Sequence, residues 1–139
     1  MGQRSIIGYE INEKTCQISF YNEKDLEPDT LEVDTDNYQI PLIIGKLRDT
    51  WAYGKEAKRL VTIKDGFTAT RLLSKSLAGD KIEFGEETYD AVWLLSQFIQ
   101  MSLQSFPEID GIVFTVPSLS EEMAQMLRGI AVRMNIDKT

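Results

Sequence analysis

Two segments near the start of the chain alternate between apolar and polar residues, which is the pattern of a half-buried β-strand. The apolar positions that share one face are Ile7, Tyr9 and Ile11 in Ser5–Ile11, and Cys16, Ile18 and Phe20 in Thr15–Tyr21. The polar triplet Asn12-Glu13-Lys14 between the segments is short enough for a tight turn. The pattern therefore predicts an antiparallel hairpin.

The middle of the chain carries shorter and weaker patterns. The predicted strands are Leu31–Val33, Ile40–Ile44 (an edge or strand entry because of Pro41), Trp51–Tyr53, Val61–Ile63 and Lys81–Phe84. The predicted helices are Gly54–Leu60 and Phe67–Leu77, the latter ending at Gly79. Asn22–Thr30 and the acidic run Asp34–Asn37 are rich in charge and predict loops.

The last third of the chain predicts a helix, a strand and a second helix. Apolar residues recur at helical spacing from Glu87 to Phe106, and Pro107 ends that helix. Gly111–Val116 is a continuous apolar run, which is typical of a strand buried on both faces. Ser118 and Glu121 have the spacing of a capping box, and a methionine-rich apolar stripe follows in the next helix.

Composition narrows the possible functions. The 139 residues carry a net charge of −7, which disfavours binding to nucleic acid or to anionic membranes. No apolar run approaches the ~20 residues that span a bilayer. Cys16 is the only cysteine, which fits a cytoplasmic protein without an internal disulfide. The absence of histidine leaves carboxylates, lysines, backbone amides and a cation such as Mg²⁺ for any catalysis.

Three segments, taken in order, resemble the actin and heat-shock-chaperone ATPase superfamily. The sequence of residues 6–15, IIGYEINEKT, resembles the first phosphate-binding hairpin, apolar-Gly-x-Asp-x-Gly-Thr-Thr. Ile40-Pro41 followed by Tyr53–Lys58 is similar to the chaperones' TPS … GDAAK segment. Gly111–Arg133 is similar to their strand-helix unit beginning AVITVPAYF. The chain most resembles a divergent, chaperone-like relative and covers the N-terminal lobe only.

The resemblance implies an α/β fold of the ribonuclease-H-like, actin-like ATPase type with a mixed sheet. An N-terminal antiparallel hairpin would be followed by strand-helix-strand-helix, with residues 5–33 and 89–139 as the core and 34–88 as a small inserted subdomain. It implies ATP or ADP with Mg²⁺ in the full-length protein, bound between two lobes. The partners would be the remainder of its own chain and, through an exposed sheet edge, a second copy.

The resemblance also assigns site residues. Glu10 matches the aspartate that orients Mg²⁺, Lys58 matches the lysine that reaches the γ-phosphate, and the phosphate-cradling positions are Gly8, Asn12, Glu13, Lys14 and Thr15. Asn12 replaces the turn glycine, and Glu13 and Lys14 replace the two hydroxyl residues. A carboxylate ~4 Å from a phosphate costs about 1–4 kcal/mol.

These departures leave three hypotheses. In the first, the chain is the N-terminal lobe of an ATP-binding protein that hydrolyses ATP only at full length. In the second, it is a degenerate, non-catalytic member of the fold that acts as a protein-interaction or assembly module. In the third, it is a ribonuclease-H-like nuclease that uses carboxylates such as Glu10 with Mg²⁺, which the acidic net charge disfavours.

Overall fold

The computed structural model describes residues 5–22, 27–30, 39–104, 106 and 109–134. They fall into two compact units. Unit 1 draws its described residues from Met1–Asn12, Cys16–Gln39 and Gln104–Thr139, and unit 2 from Glu13–Thr15 and Ile40–Leu103. None of the helices in this described part is long and apolar enough to cross a membrane.

The described part of the chain begins with six strands and then interleaves helices with further strands, so the fold is α/β. The strands are β1 (Ser5–Ile11), β2 (Thr15–Asn22), β3 (Glu27–Thr30), β4 (Gln39–Pro41), β5 (Ile44–Leu47), β6 (Thr50–Tyr53), β7 (Gly66–Ala69), β8 (Lys81–Phe84), β9 (Glu87–Asp90) and β10 (Gly111–Thr115). The helices are α1 (Lys55–Arg59), α2 (Leu72–Ala78), α3 (Ala91–Ser102) and α4 (Glu121–Arg133), with a 3₁₀ turn at Leu60–Thr62.

Unit 1 contains a mixed sheet in the order β10-β1-β2-β3. β1 pairs antiparallel with β2 and parallel with β10, so that Ile7 lies opposite Phe20 on one side and Ile112 on the other. The predicted hairpin and the predicted strand at Gly111 are both confirmed. The alternation in β1 works as expected, because Ile7 and Tyr9 are fully buried while Ile6, on the other face, is exposed.

β10 is less buried than the apolar run predicted. Gly111 and Ile112 are buried, but Val113 is 56% exposed and Thr115 is also exposed. The prediction that this strand is buried on both faces is therefore wrong. The exposed residues Val113 and Thr115 lie beside Gly8 and Glu10 of β1, on the face where Ile6 is also exposed, so no other described element covers this face of the sheet. A continuous apolar run cannot distinguish a strand buried on both faces from a strand buried on one face.

Helix α4 begins later in its capping sequence than predicted. The side chain of Ser120 accepts a hydrogen bond from the Met123 amide at 3.1 Å, so Ser120 is the N-cap and the prediction of Ser118 is wrong. An N-cap must directly precede the first helical residue, here Glu121, and Ser118 lies too early. The predicted methionine-rich stripe does supply core residues, since α4 buries Met123, Leu127, Ile130 and Ala131.

Unit 2 combines a small sheet, a hairpin and three helices. β5 lies between β6 and β7 and is antiparallel to both, and β8 pairs antiparallel with β9. Helix α2 packs on α3, which buries Leu94, Leu95, Phe98 and Ile99. The helices predicted near Gly54 and before Gly79 are confirmed in shorter form, and Gly79 caps α2 with a left-handed conformation (φ 72°).

Several boundaries in the middle of the chain differ from the prediction. Residues 61 and 62 belong to the 3₁₀ turn rather than to a strand, and residues 67–69 lie in β7 rather than in a helix. Helix α3 starts at Ala91 because Glu87–Asp90 folds back on β8 around Gly85, where φ is 67°. In β7 and β9 the strand pairings, with β5 and β8 respectively, override the local helical spacing.

Two predictions concern the charged region before β4. Glu27–Thr30 forms β3, paired antiparallel with Ser19–Asn22, so the prediction of a loop there is wrong. Strand pairing supplies the backbone hydrogen bonds that such a polar segment would otherwise make with water. The predicted strand Leu31–Val33 and the predicted acidic turn Asp34–Asn37 lie outside the described residues.

Candidate functional site

The hairpin between β1 and β2 brings together most of the residues assigned to phosphate binding. Ile11 and Cys16 form the last pair of the ladder, and Asn12, Glu13 and Lys14 make the turn. None of these three turn residues has a positive φ. The turn therefore forms without the left-handed conformation that a glycine would favour there, which explains how Asn12 is accommodated.

Gly8 lies inside β1, opposite Ser19 of β2 and Val113 of β10. A Cβ atom at this position would collide with the Ser19 hydroxyl, which donates a hydrogen bond to the Gly8 carbonyl at 3.5 Å. The close approach to Gly8 is thus made by a side chain of the neighbouring strand. This contact explains the glycine within the sheet itself.

Glu13 has a specific structural partner within unit 2. One carboxylate oxygen accepts a hydrogen bond from the Ser74 amide at 2.8 Å, and the other accepts from the Ser74 hydroxyl at 2.7 Å. Ser74 lies in the first turn of α2, where amide groups have no partner inside the helix. Glu13 therefore acts as a capping residue supplied from 61 residues away along the chain.

Arg71 is the residue before α2 and has a left-handed conformation, with φ 53°. Its side chain makes no capping hydrogen bond to the helix. The carboxylate of Glu13 takes over that function and also places a negative charge at the positive end of the helix. The backbone of the next turn residue is held as well, because the Lys14 carbonyl accepts a hydrogen bond from the Leu42 amide at 2.8 Å.

Glu10, the predicted metal ligand, lies in β1 with its side chain exposed. Its register partners are Gln17 in β2 and Thr115 in β10, neither of which carries a charge. Among the residues that the structure describes, no three His, Cys, Asp or Glu side chains lie close enough together to hold a metal ion. The role of Glu10 as a magnesium ligand stays a prediction.

Lys58, the predicted γ-phosphate ligand, belongs to unit 2, whereas Glu10 belongs to unit 1. It lies in the short helix α1, with an exposed side chain and with its amide bonded to the Gly54 carbonyl at 3.1 Å. The adjacent Ala57 is fully buried and anchors this turn of helix. The catalytic assignment of Lys58 likewise stays a prediction.

An aromatic cluster in unit 2 was not predicted. The rings of Trp51, Tyr89 and Trp93 have centroids 5.2–5.6 Å apart, with Tyr89 stacked on Trp93. The ammonium group of Lys46 lies 5.2 Å from the Trp51 ring and donates hydrogen bonds to the Tyr89 hydroxyl and to Glu87, each at 3.1 Å.

The charges in this cluster stabilise each other. The hydrogen bond with Tyr89, together with that to Glu87, raises the pKa of Lys46. The Tyr89 hydroxyl and then Lys46 lower the pKa of Glu87. Both groups therefore favour their charged forms, as opposite charges in contact do. The members of this cluster lie in four separate elements, β5, β6, β9 and α3. No local sequence pattern therefore predicts the cluster.

Cys16 is buried in unit 1, as predicted for a small apolar residue. Burial raises the pKa of its thiol to about 12, while a hydrogen bond to the Tyr9 hydroxyl at 3.5 Å acts in the opposite direction. The thiolate is the reactive form of cysteine. Cys16 is therefore an inert core residue rather than a nucleophile.

A second feature that the sequence did not reveal is a surface cleft in unit 1. Its volume is about 160 Å³. It lies between the edge strand and the last helix, and its lining residues are Val113 and Phe114 of β10, Leu119 of the connecting loop, and Ala124, Leu127 and Arg128 of α4. We refer to it below as the β10 cleft.

Residues 27–139 match a protein family described as the C-terminal family of unknown function DUF5716. The match includes β3 and every later described element, but not β1, the hairpin turn or β2. No curated protein matches the chain.

Proposed function

The chain belongs to the DUF5716 C-terminal family, and within that family we propose that it is a non-catalytic module for protein interaction or assembly. Its core is a ribonuclease-H-like lobe related to actin and the heat-shock chaperones. In this proposal the fold is retained for its surfaces, and ATP is neither bound tightly nor hydrolysed.

The observation that carries the proposal is the contact between Glu13 and Ser74. In an ATP-binding relative of this type, the hairpin turn presents backbone amides and hydroxyl groups to phosphate. Here the turn presents a carboxylate that two hydrogen bonds hold at the start of α2. A phosphate within ~4 Å of that carboxylate would be destabilised by about 1–4 kcal/mol, so these residues do not fit a phosphate cradle.

The sheet topology supports the proposed ribonuclease-H-like fold. The sheet order β10-β1-β2-β3, with an antiparallel hairpin and a parallel strand beside β1, is the arrangement expected of a ribonuclease-H-like lobe. The strand-helix unit formed by β10 and α4 occurs where the resemblance to the chaperones places one. These features support a common architecture and are independent of nucleotide binding.

The test is thermal unfolding of the chain with Mg-ATP, with ATP alone and with Mg²⁺ alone. We expect no shift in Tm in any condition. A ligand at 100 times its Kd adds about 2.7 kcal/mol, which in a chain of this size shifts Tm by several degrees. A shift of that size with Mg-ATP but not with Mg²⁺ alone contradicts the proposal.

The second candidate is an ATP-binding lobe that hydrolyses ATP only in a longer protein. The observation that favours it is the intact hairpin, with Glu10 and Lys58 both exposed. The double variant Asn12→Gly with Glu13→Thr restores the residue types of the phosphate motif. A gain of Mg-ATP binding in that variant, with none in the unsubstituted chain, is the result expected of a degenerate site. Equal binding by both chains favours the second candidate.

A further inference from the structure

The outer edge of β10 is unpaired within the described part of the chain. β10 pairs with β1 and ends the strand order of the sheet. The amide and carbonyl groups along such an edge form a template on which another strand can add. The side chains beside it are apolar and exposed, with Val113 at 56% and Leu119 at 72%.

The two ends of the sheet differ in how they are protected. β3 has the sequence EPDT, in which Pro28 lacks an amide hydrogen. Proline and charge are the usual devices that prevent pairing at an edge. β10 has the sequence GIVFT and contains neither. The β10 edge therefore lacks the protection expected of an edge that stays exposed to solvent.

The β10 cleft limits what can bind beside this edge. Its volume of about 160 Å³ is below the roughly 300–1,000 Å³ of pockets that hold drug-sized molecules. A cleft of this size suits one or two amino-acid side chains. Arg128 is the one charged residue in its lining, and it makes no ion pair or hydrogen bond with any other described residue. It offers a positive charge beside an apolar surface.

We propose that the β10 edge binds an extended segment of a partner protein as an added strand. The segment carries an apolar side chain that enters the β10 cleft and, on the same face, a carboxylate that pairs with Arg128. This inference rests on the proposed role in protein interaction and does not depend on whether the chain binds nucleotide. A second copy of the chain is a poorer occupant, because a net charge of −7 makes two copies repel each other.

The probe is a blocked, fluorescein-labelled heptapeptide, Thr-Val-Thr-Glu-Thr-Val-Thr. Alternate residues of a strand share a face, so valine and glutamate lie on the same side. One control peptide has lysine in place of glutamate. A second control has N-methyl groups at alternate residues, which removes the hydrogen bonds of one edge. Fluorescence anisotropy measures binding of each peptide to the full chain.

We expect the glutamate peptide to bind at least tenfold more tightly than the lysine peptide, and Arg128→Glu to reverse that preference. Backbone methylation on the pairing edge should weaken binding at least tenfold. Arg133→Glu is the matched control, since Arg133 is exposed on the same helix but does not line the cleft, and it should leave the preference unchanged.

Three results of the peptide titrations would overturn the inference: no binding of any peptide, a preference for glutamate over lysine that Arg128→Glu leaves unchanged, or equal binding of the methylated and unmethylated peptides. Self-association in sedimentation that Val113→Lys abolishes, without peptide binding, would assign the edge to a second copy and overturn it as well. Repeating the titration with Mg-ATP separates the two proposals. Peptide binding together with ATP binding would contradict the non-catalytic role but leave the strand-addition site standing.

Discussion

The contact between Glu13 and Ser74 gives the sharpest test of the structure, because it joins residues 61 positions apart. We predict that Glu13→Ala destabilises unit 2. The substitution removes the acceptor for the Ser74 amide and for the Ser74 hydroxyl at once. It also removes a negative charge from the N-terminal end of α2.

The expected magnitude follows from two effects. Loss of an N-capping side chain costs about 0.5–2 kcal/mol, and a favourable charge at a helix end contributes about 0.3–1 kcal/mol. Ser74 is exposed, so water can replace part of the lost hydrogen bonding. We therefore expect Glu13→Ala to cost about 1–2 kcal/mol. Glu13→Gln should cost less, since the amide oxygen can still accept one hydrogen bond.

Urea unfolding followed by tryptophan fluorescence is the appropriate assay. Both tryptophans of the chain, Trp51 and Trp93, lie in unit 2, so the signal reports on the unit that contains the contact. Glu83→Gln is the matched control for Glu13→Gln. Glu83 is exposed on β8 in the same unit, and its replacement should change stability by less than about 0.5 kcal/mol.

A double-mutant cycle with Ser74→Ala tests whether the two side chains interact. Ser74→Ala alone also loses the weaker hydrogen bond from its hydroxyl to the Arg71 carbonyl at 3.4 Å, and the cycle cancels this contribution. We expect a coupling free energy of about 0.5–1 kcal/mol. If the two substitutions are additive to within ~0.3 kcal/mol, the hydrogen bond from the Ser74 hydroxyl to Glu13 does not contribute in solution, and any loss of stability in Glu13→Ala then comes from the Ser74 amide and from the charge at the helix end.

Three further predictions concern other parts of the chain. Ser120→Ala should destabilise the protein by about 1 kcal/mol in chemical denaturation, whereas Ser118→Ala, outside the cap, should have almost no effect. Cys16 should resist iodoacetamide at pH 8 until the chain unfolds. Burial raises the pKa of this thiol from 9.0 to about 12. The contribution of the neutral thiol to the stability of the fold is therefore complete below pH 9 and is lost as the pH rises towards 12. The Cys16→Ala variant should not show this loss of stability. Lys46→Met should lower the urea midpoint of unit 2 and change tryptophan emission, because Lys46 contacts Glu87, Tyr89 and the Trp51 ring. Lys64→Met, at an exposed position, is the control and should change neither the midpoint nor the emission. An unchanged midpoint and spectrum for Lys46→Met would contradict the contacts described.

The parts of the fold that sequence predicts well are those in which one local pattern decides the structure. β1 alternates over seven residues, and its pairing with β2 needs only a three-residue turn. β7 and β9 were missed for the opposite reason. Phe67–Ala69 lies close to the leucines of α2, and Glu87–Asp90 runs directly into α3, so helical spacing extended across both strands. Their pairings depend on partners that local periodicity does not reveal.

The candidate site shows a different limit of prediction from sequence. The charge of Glu13 alone predicts that this residue disfavours phosphate in the hairpin turn. Its partner was not predictable, because Ser74 is far away in sequence and belongs to a helix whose start was placed too early. The β10 cleft was missed as well, since Gly111–Val116 has the composition of a central strand and only its neighbours make it an edge.

Glu13 stabilises the fold and at the same time disfavours phosphate binding. The side chain that disfavours phosphate in the hairpin turn also supplies the cap that α2 lacks from its own preceding residue, Arg71. Glu13→Thr restores a residue type of the phosphate motif but should destabilise the start of α2, because threonine is too short to replace both hydrogen bonds to Ser74. A gain of Mg-ATP binding in the Asn12→Gly, Glu13→Thr variant should therefore be accompanied by a lower stability of the unliganded chain.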